Sequence, residues 1–183
     1  QLPEPSQKLP ANAEAVRFKL NQVVVEGATV YPESVLHPYY EELLDKDVSL
    51  ADIYAVASTI TARYRNDGYI LSQVLVPAQA VENGQIRLQA VEGYIAQVVV
   101  EGEDNARRDL VATYASKISE VRPLTAAVLE RYLLLMNDLP GAFARATLVP
   151  SKTEQGASDL IVQFSQNHVG GGLSVDNLGS KSM

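Results

Sequence analysis

Apolar positions along the chain change period in a fixed order, and that order occurs twice. Phe18 to Glu26 is rich in Val and Leu and ends at Gly27, which predicts a strand. Pro32 and Glu33 suit the opening of a helix running to about Leu44. Ser49, with Asp52 three residues on, is placed to cap a second helix. Its apolar stripe, Ile53, Val56, Ala57, Ile60 and Tyr64, recurs at spacings of three and four and ends near Asp67-Gly68. Ile70 to Val76 reads as a strand stopped by Pro77, and the turn pair Asn83-Gly84 introduces another from Gln85 to Val91. The series then restarts with a strand from Tyr94 to Glu101 and a helix from Asn105 to about Ile118. Thr125 can cap the next helix, with Val128, Leu129, Tyr132, Leu133 and Met136 on its buried side. Leu139-Pro140-Gly141 breaks the chain before strands at about Phe143 to Val149 and Ser158 to Phe164.

The duplication is also literal. Val23-Val24-Val25-Glu26-Gly27 returns unchanged as Val98-Val99-Val100-Glu101-Gly102, 75 positions later. Gly68 through Pro77 aligns with Gly141 through Pro150, and Ile86 through Val91 with Asp159 through Phe164, both at an offset of 73. The chain is therefore expected to be an α+β protein made of two β-α-α-β-β units. With elements alternating in direction, the third strand of each unit lies centrally, parallel to the first and antiparallel to the second. Two helices cover one face. The second strand is left at a border, with N–H and C=O groups unpaired.

Composition narrows the function. The 183 residues suffice for two small domains, and 46% hydrophobic against 20% charged residues is a folded balance. No apolar run approaches the ~18 residues of a membrane-spanning helix. A net charge of -7 argues against nucleic acid as the partner. Without cysteine there is neither disulfide nor thiolate metal site. The opening Gln-Leu-Pro-Glu-Pro has no signal-peptide character, so a signal was either never present or has been removed. His37 and His168 fall outside any metal-ligand spacing, and no Gly-x-Ser-x-Gly elbow occurs. Gly170 to Gly172 matches no phosphate-binding fingerprint, and Glu41, Glu42 and Asp45 read as a wet helix face. No enzyme, metal or cofactor is expected.

The stretch Gly68-Tyr69-Ile70-Leu71-Ser72-Gln73-Val74-Leu75-Val76-Pro77-Ala78-Gln79, then Asn83-Gly84 and Val91-Glu92-Gly93, resembles the first POTRA domain of two-partner secretion transporters. Leu139-Pro140-Gly141, the strand after it and Pro150 are similar to their second POTRA domain, and Gly170 to Gly179 to the start of the barrel strand that follows. Pro3, Pro5 and Pro10 make 1–16 read as an extended, Pro-rich linker, and the resemblance implies POTRA domains at 17–92 and 93–167 and a barrel start at 168–183. It implies a periplasmic pair attached to an outer-membrane barrel of the same protein. The implied partner is the amino-terminal secretion domain of a large secreted exoprotein. Two other roles compete: an assembly factor for outer-membrane proteins, and a structural adaptor of the envelope.

Recognition would use strand addition at the second-strand border. Alternation puts Ile70, Ser72, Val74 and Val76 toward the core and Leu71, Gln73 and Leu75 on the open face. The two leucines suit a client's apolar side chains, or else pack on the neighbouring domain or a loop. In the second unit Arg145 and Thr147 take the matching place, and Arg107, Arg108 and Arg131 either meet the client or are solvated charges. Between the units only Glu92 and Gly93 intervene, restricting hinging, although Gly93 permits some.

Overall fold

The computed structural model describes residues 9–102, 106–140, 142–154 and 156–166. In the first unit the elements are β1 (Arg17–Lys19), β2 (Gln22–Glu26), α1 (Glu33–Leu36), β3 (Asp47–Ser49), α2 (Leu50–Asn66), β4 (Gln73–Leu75) and β5 (Gln85–Val91). The second has β6 (Ile95–Glu101), α3 (Ala106–Ser119), α4 (Ala126–Asn137), β7 (Ala142–Pro150) and β8 (Ser158–Gln166).

Two mixed three-stranded sheets result, ordered β2-β5-β4 and β6-β8-β7. In each the third strand is central, parallel to the first and antiparallel to the second, as expected. Alternation along the central strands sends Ile86, Leu88 and Ala90, and Leu160, Val162 and Phe164, into the interior. Arg87, Gln89, Gln163 and Ser165 stay exposed on the other face. The buried faces feed two separate cores. The first takes the whole predicted stripe of α2, and the second takes Val111, Ala115 and Ile118 of α3 with Met136 of α4.

The long helices start where their caps stand. Ser49 Oγ accepts the Asp52 N–H at 3.2 Å, and the Asp52 carboxylate accepts the Ser49 N–H at 2.8 Å, a complete capping box with Asp in place of the commoner Glu. Thr125 Oγ1 accepts the Val128 N–H at 3.4 Å in α4.

Four expectations need correction. The single helix from Pro32 to Leu44 is instead α1 followed by two 3₁₀ turns, His37–Tyr39 and Glu41–Leu43. Pro38 supplies no N–H for a continuing ladder. The long first strand is two, because at Leu20 and Asn21 the main chain bonds to Lys46 and Gly84 and turns away; β1 then pairs antiparallel with β3. Residues 11–16 of the linker are not extended but form a turn whose carbonyls at Ala13 and Val16 accept the Ala51 and Leu50 N–H groups at the start of α2. Finally, the repeat register differs from the sequence match. Val23 pairs with Ile86 and Val98 with Leu160, so Ile86 corresponds to Leu160, not Asp159. Val74 opposes Ala90 and Ala144 opposes Phe164, so Val74 corresponds to Ala144. The shared Val-Pro ends therefore do not superimpose, because β7 is longer than β4. The expected barrel start at 168–183 and residues 1–8 of the linker lie outside the described residues.

Candidate functional site

Each three-stranded sheet has two borders, β2 and β4 in the first and β6 and β7 in the second, and the two second-strand borders differ. β4 is three residues long, and its outward donor is already occupied. The Val74 N–H donates to Thr61 Oγ1 of α2 at 2.8 Å, and the Thr61 hydroxyl donates to the Ala57 carbonyl at 2.8 Å. Neighbouring residues of an antiparallel strand send their main-chain groups to opposite sides, so Gln73 and Leu75 bond toward β5 and Val74 faces out. The preceding outward donor, Ser72 N–H, closes on the Tyr69 carbonyl at 3.0 Å, and Val76 is engaged as well. Farther along, the Gln79 amide accepts the Arg87 N–H at 2.9 Å and donates to the Arg87 carbonyl at 2.7 Å, standing in for a strand residue beside β5. Between α2 and β4 runs a groove of about 340 Å³ whose walls include Tyr54, Ser58, Arg65, Gln73 and Leu75.

β7 is nine residues long, in unbroken register with β8 from Ala142 opposite Gln166 to Pro150 opposite Ser158. Asn137 of α4 caps one end. Its Oδ1 accepts the Ala144 N–H at 2.9 Å, and its Nδ2 donates to the Ala144 carbonyl at 3.1 Å. With Ala144 facing out, alternation also turns Ala146, Leu148 and Pro150 outward. Pro150 fits there because the position needs no ladder donor. Ala146 and Leu148 thus hold two donors and two acceptors outward without a partner among the described residues. On α4, one helical turn before Asn137, Leu134 is 65% exposed.

Thr61 and Asn137 stand equally far past their helix caps, Ser49 and Thr125, so one repeat position carries the capping side chain in both units. By the same count Leu134 replaces Ser58. Neither capping residue was singled out from sequence, although a polar side chain at that shared position was a visible signal.

The predicted residues distribute as follows. Gln73 and Leu75 are half-buried on β4, lining the groove. Leu71 precedes β4 and packs against the second core, which realises the neighbouring-domain alternative rather than an open client face. Arg145 and Thr147 are exposed on the uncovered face of β7, and the Arg145 guanidinium lies 5.8 Å from the Phe143 ring, itself 54% exposed. Arg108 is tied down, its Nη2 donating to the Val100 carbonyl on β6 at 3.1 Å. The side chain of Arg107 lies outside the described residues. Arg131 is exposed, 5.9 Å from the Tyr132 ring. No helix among the described residues is long and apolar enough to cross a membrane.

This architecture of paired βααββ units with a bordering second strand is that of POTRA domains. In solved structures it is found in CdiB from Escherichia coli, with a TM-score of 0.69, 21% identity, and 89% of this chain and 30% of that one covered. It is found also in POTRA1-3 of the periplasmic domain of Omp85 from Anabaena, with a TM-score of 0.68, 18% identity, and 82% and 66% covered. Residues 18–93 match the POTRA domain of ShlB type. The heme/hemopexin transporter protein HuxB of Haemophilus influenzae strain 86-028NP is 24% identical over 173 residues, 92% of this chain and 30% of that protein. The outer membrane transporter CdiB of Escherichia coli O6:K15:H31 is 23% identical over 178 residues, covering 97% and 30%. The hemolysin transporter protein HpmB of Proteus mirabilis is 28% identical over 167 residues, covering 87% and 27%. The first unit is thus a ShlB-type POTRA domain, and the chain is homologous to the two-partner secretion transporters HuxB, CdiB and HpmB. It spans about 30% of the length of the first of these relatives, and all three are named as transporters, none as an enzyme.

Proposed function

We propose that this chain is the periplasmic client-recognition part of an outer-membrane two-partner secretion transporter, with its two domains at 17–92 and 93–167. It receives the amino-terminal secretion domain of a cognate exoprotein and passes it to the barrel of its own full-length protein. The homology to named transporters supports the class. The observation that carries the recognition step is the uncapped stretch of β7, where Ala146 and Leu148 offer a strand template of four main-chain groups, with Leu134 exposed on α4 one turn before the cap. Main-chain bonds to that template supply affinity for an extended segment, and Leu134 covers an apolar side chain of it. Thr147 and Arg145 lie on the adjoining open face and contact the segment's flanks. The β4 border takes a lesser part, its groove residues Gln73 and Leu75 contacting side chains of the client.

The test is titration with the amino-terminal secretion domain of a candidate exoprotein from the same organism. Ala146→Pro removes an outward donor without touching the β8 ladder, so the sheet stays folded while affinity falls about tenfold or more. Unchanged affinity in the folded variant overturns strand addition at β7. Gln73→Pro is unsuitable as an edge-blocking variant, because the Gln73 N–H faces β5 and its loss damages the sheet itself.

A further inference from the structure

We propose that the two units are locked into one rigid body by a joint centred on Leu71 and Gly93, which holds their sheets at a fixed angle. A glycine in a two-residue link reads as a hinge, yet Gly93 is gripped on every side. It is buried, its N–H donates to Ser72 Oγ at 3.3 Å, and its carbonyl accepts the Leu124 N–H of the second unit at 2.9 Å. A Cβ placed on it would stand 2.4 Å from the Leu71 carbonyl oxygen and 2.5 Å from Leu71 Cβ. Glycine is needed here for close approach, not for freedom.

Three further contacts cross the same seam. Leu71 of the first unit is half-buried and packs against the second unit's core. The Gly68 carbonyl, just past the end of α2 at φ +91°, accepts the N–H of Ala126, the first helical residue of α4, at 2.8 Å. The carbonyl of a residue just past α2 therefore satisfies one of the free amides at the start of α4. The turn between β7 and β8 lies against Val91, close enough that a Cβ at Gly156 would come within 2.6 Å of Val91 Cγ1.

The residue before the joint is held too. The Glu92 carboxylate accepts the Thr29 N–H at 2.7 Å, the Val30 N–H and the Tyr64 hydroxyl at 2.8 Å each, and the Thr29 hydroxyl. Rotation about Gly93 would pull Leu71 from an apolar core and break both cross-unit main-chain bonds together, so no single soft torsion is available for hinging.

Residual dipolar couplings of amides in both sheets test the joint on the chain as it stands. A single alignment tensor fitting β5 and β8 together is the expected result, and a requirement for two tensors overturns the joint. Leu71→Ser should lose the common tensor while each sheet keeps its native shift dispersion, and a common tensor retained in that folded variant also overturns it. Should Leu71→Ser fail to fold, the wild-type fit decides alone. Leu75→Ser, half-buried but in the groove away from the seam, should keep the common tensor.

Discussion

The border of β4 and the border of β7 hold the same place in their sheets, and a helix side chain reaches each from the same repeat position. Thr61 brings one hydroxyl, sits 9% exposed, and occupies the outward donor in the middle of a three-residue strand. Asn137 brings an amide that satisfies both groups of Ala144, but β7 continues six residues beyond it. A cap of one residue closes a short border and leaves a long one open. Strand length, not the presence of a cap, decides whether a border can accept a visitor.

Native-state hydrogen exchange separates the two borders most strongly. The Val74 amide should exchange roughly a hundredfold more slowly than the outward amides of Ala146 and Leu148. Similar rates at all three would erase the contrast. Thr61→Val keeps the shape of the side chain but strands a buried donor, and should cost about 2 kcal/mol in urea unfolding. A loss near zero would mean that water replaces the hydroxyl and that the first border is not closed. Asn137→Ala, at an exposed site, should cost only about 1 kcal/mol while speeding exchange at Ala144.

The smallest effect is acid sensitivity. Burial pushes the Glu92 carboxyl up, but the hydrogen bonds from Thr29, Val30 and Tyr64 outweigh it and hold the group below its ordinary value. The Ser49 N–H and hydroxyl do the same for Asp52. A folded value below the unfolded one means that this stability is complete above the ordinary carboxylate range and is lost as pH falls through the folded value. Both carboxylates belong to the first unit, so its core amides should lose protection before those of the second on acidification. Glu92→Gln should flatten that early loss. Simultaneous loss in both units would show instead that the seam, not these carboxylates, governs the acid response. The same burial and the Asp67 carboxylate push the Tyr31 hydroxyl up to about 12, so it stays protonated throughout.

Much of the fold was written in local patterns. The stripe of α2, the caps Ser49 and Thr125, and the duplicated Val-Val-Val-Glu-Gly determined two units and their element order, because helix periodicity, capping and strand alternation involve residues close in sequence. The β1–β3 ribbon and the breakup of the Pro32 to Leu44 segment were hidden, the first because it joins residues about 30 apart. The site was legible only in outline. Alternation placed Ile70, Ser72, Val74 and Val76 in the core and Arg145 and Thr147 outside; Ile70 is only half-buried and belongs to neither core, and alternation could not place Leu71 against the neighbouring core.

Sequence by itself determined that this chain is a repeated βααββ fold with second strands at the sheet borders. Tertiary structure alone decided which border stays open and what becomes of Gly93. Those outcomes depend on main-chain donors and acceptors meeting side chains from distant helices, and on the space left beside a single Cα. Neither quantity has a periodicity that the order of residues could display.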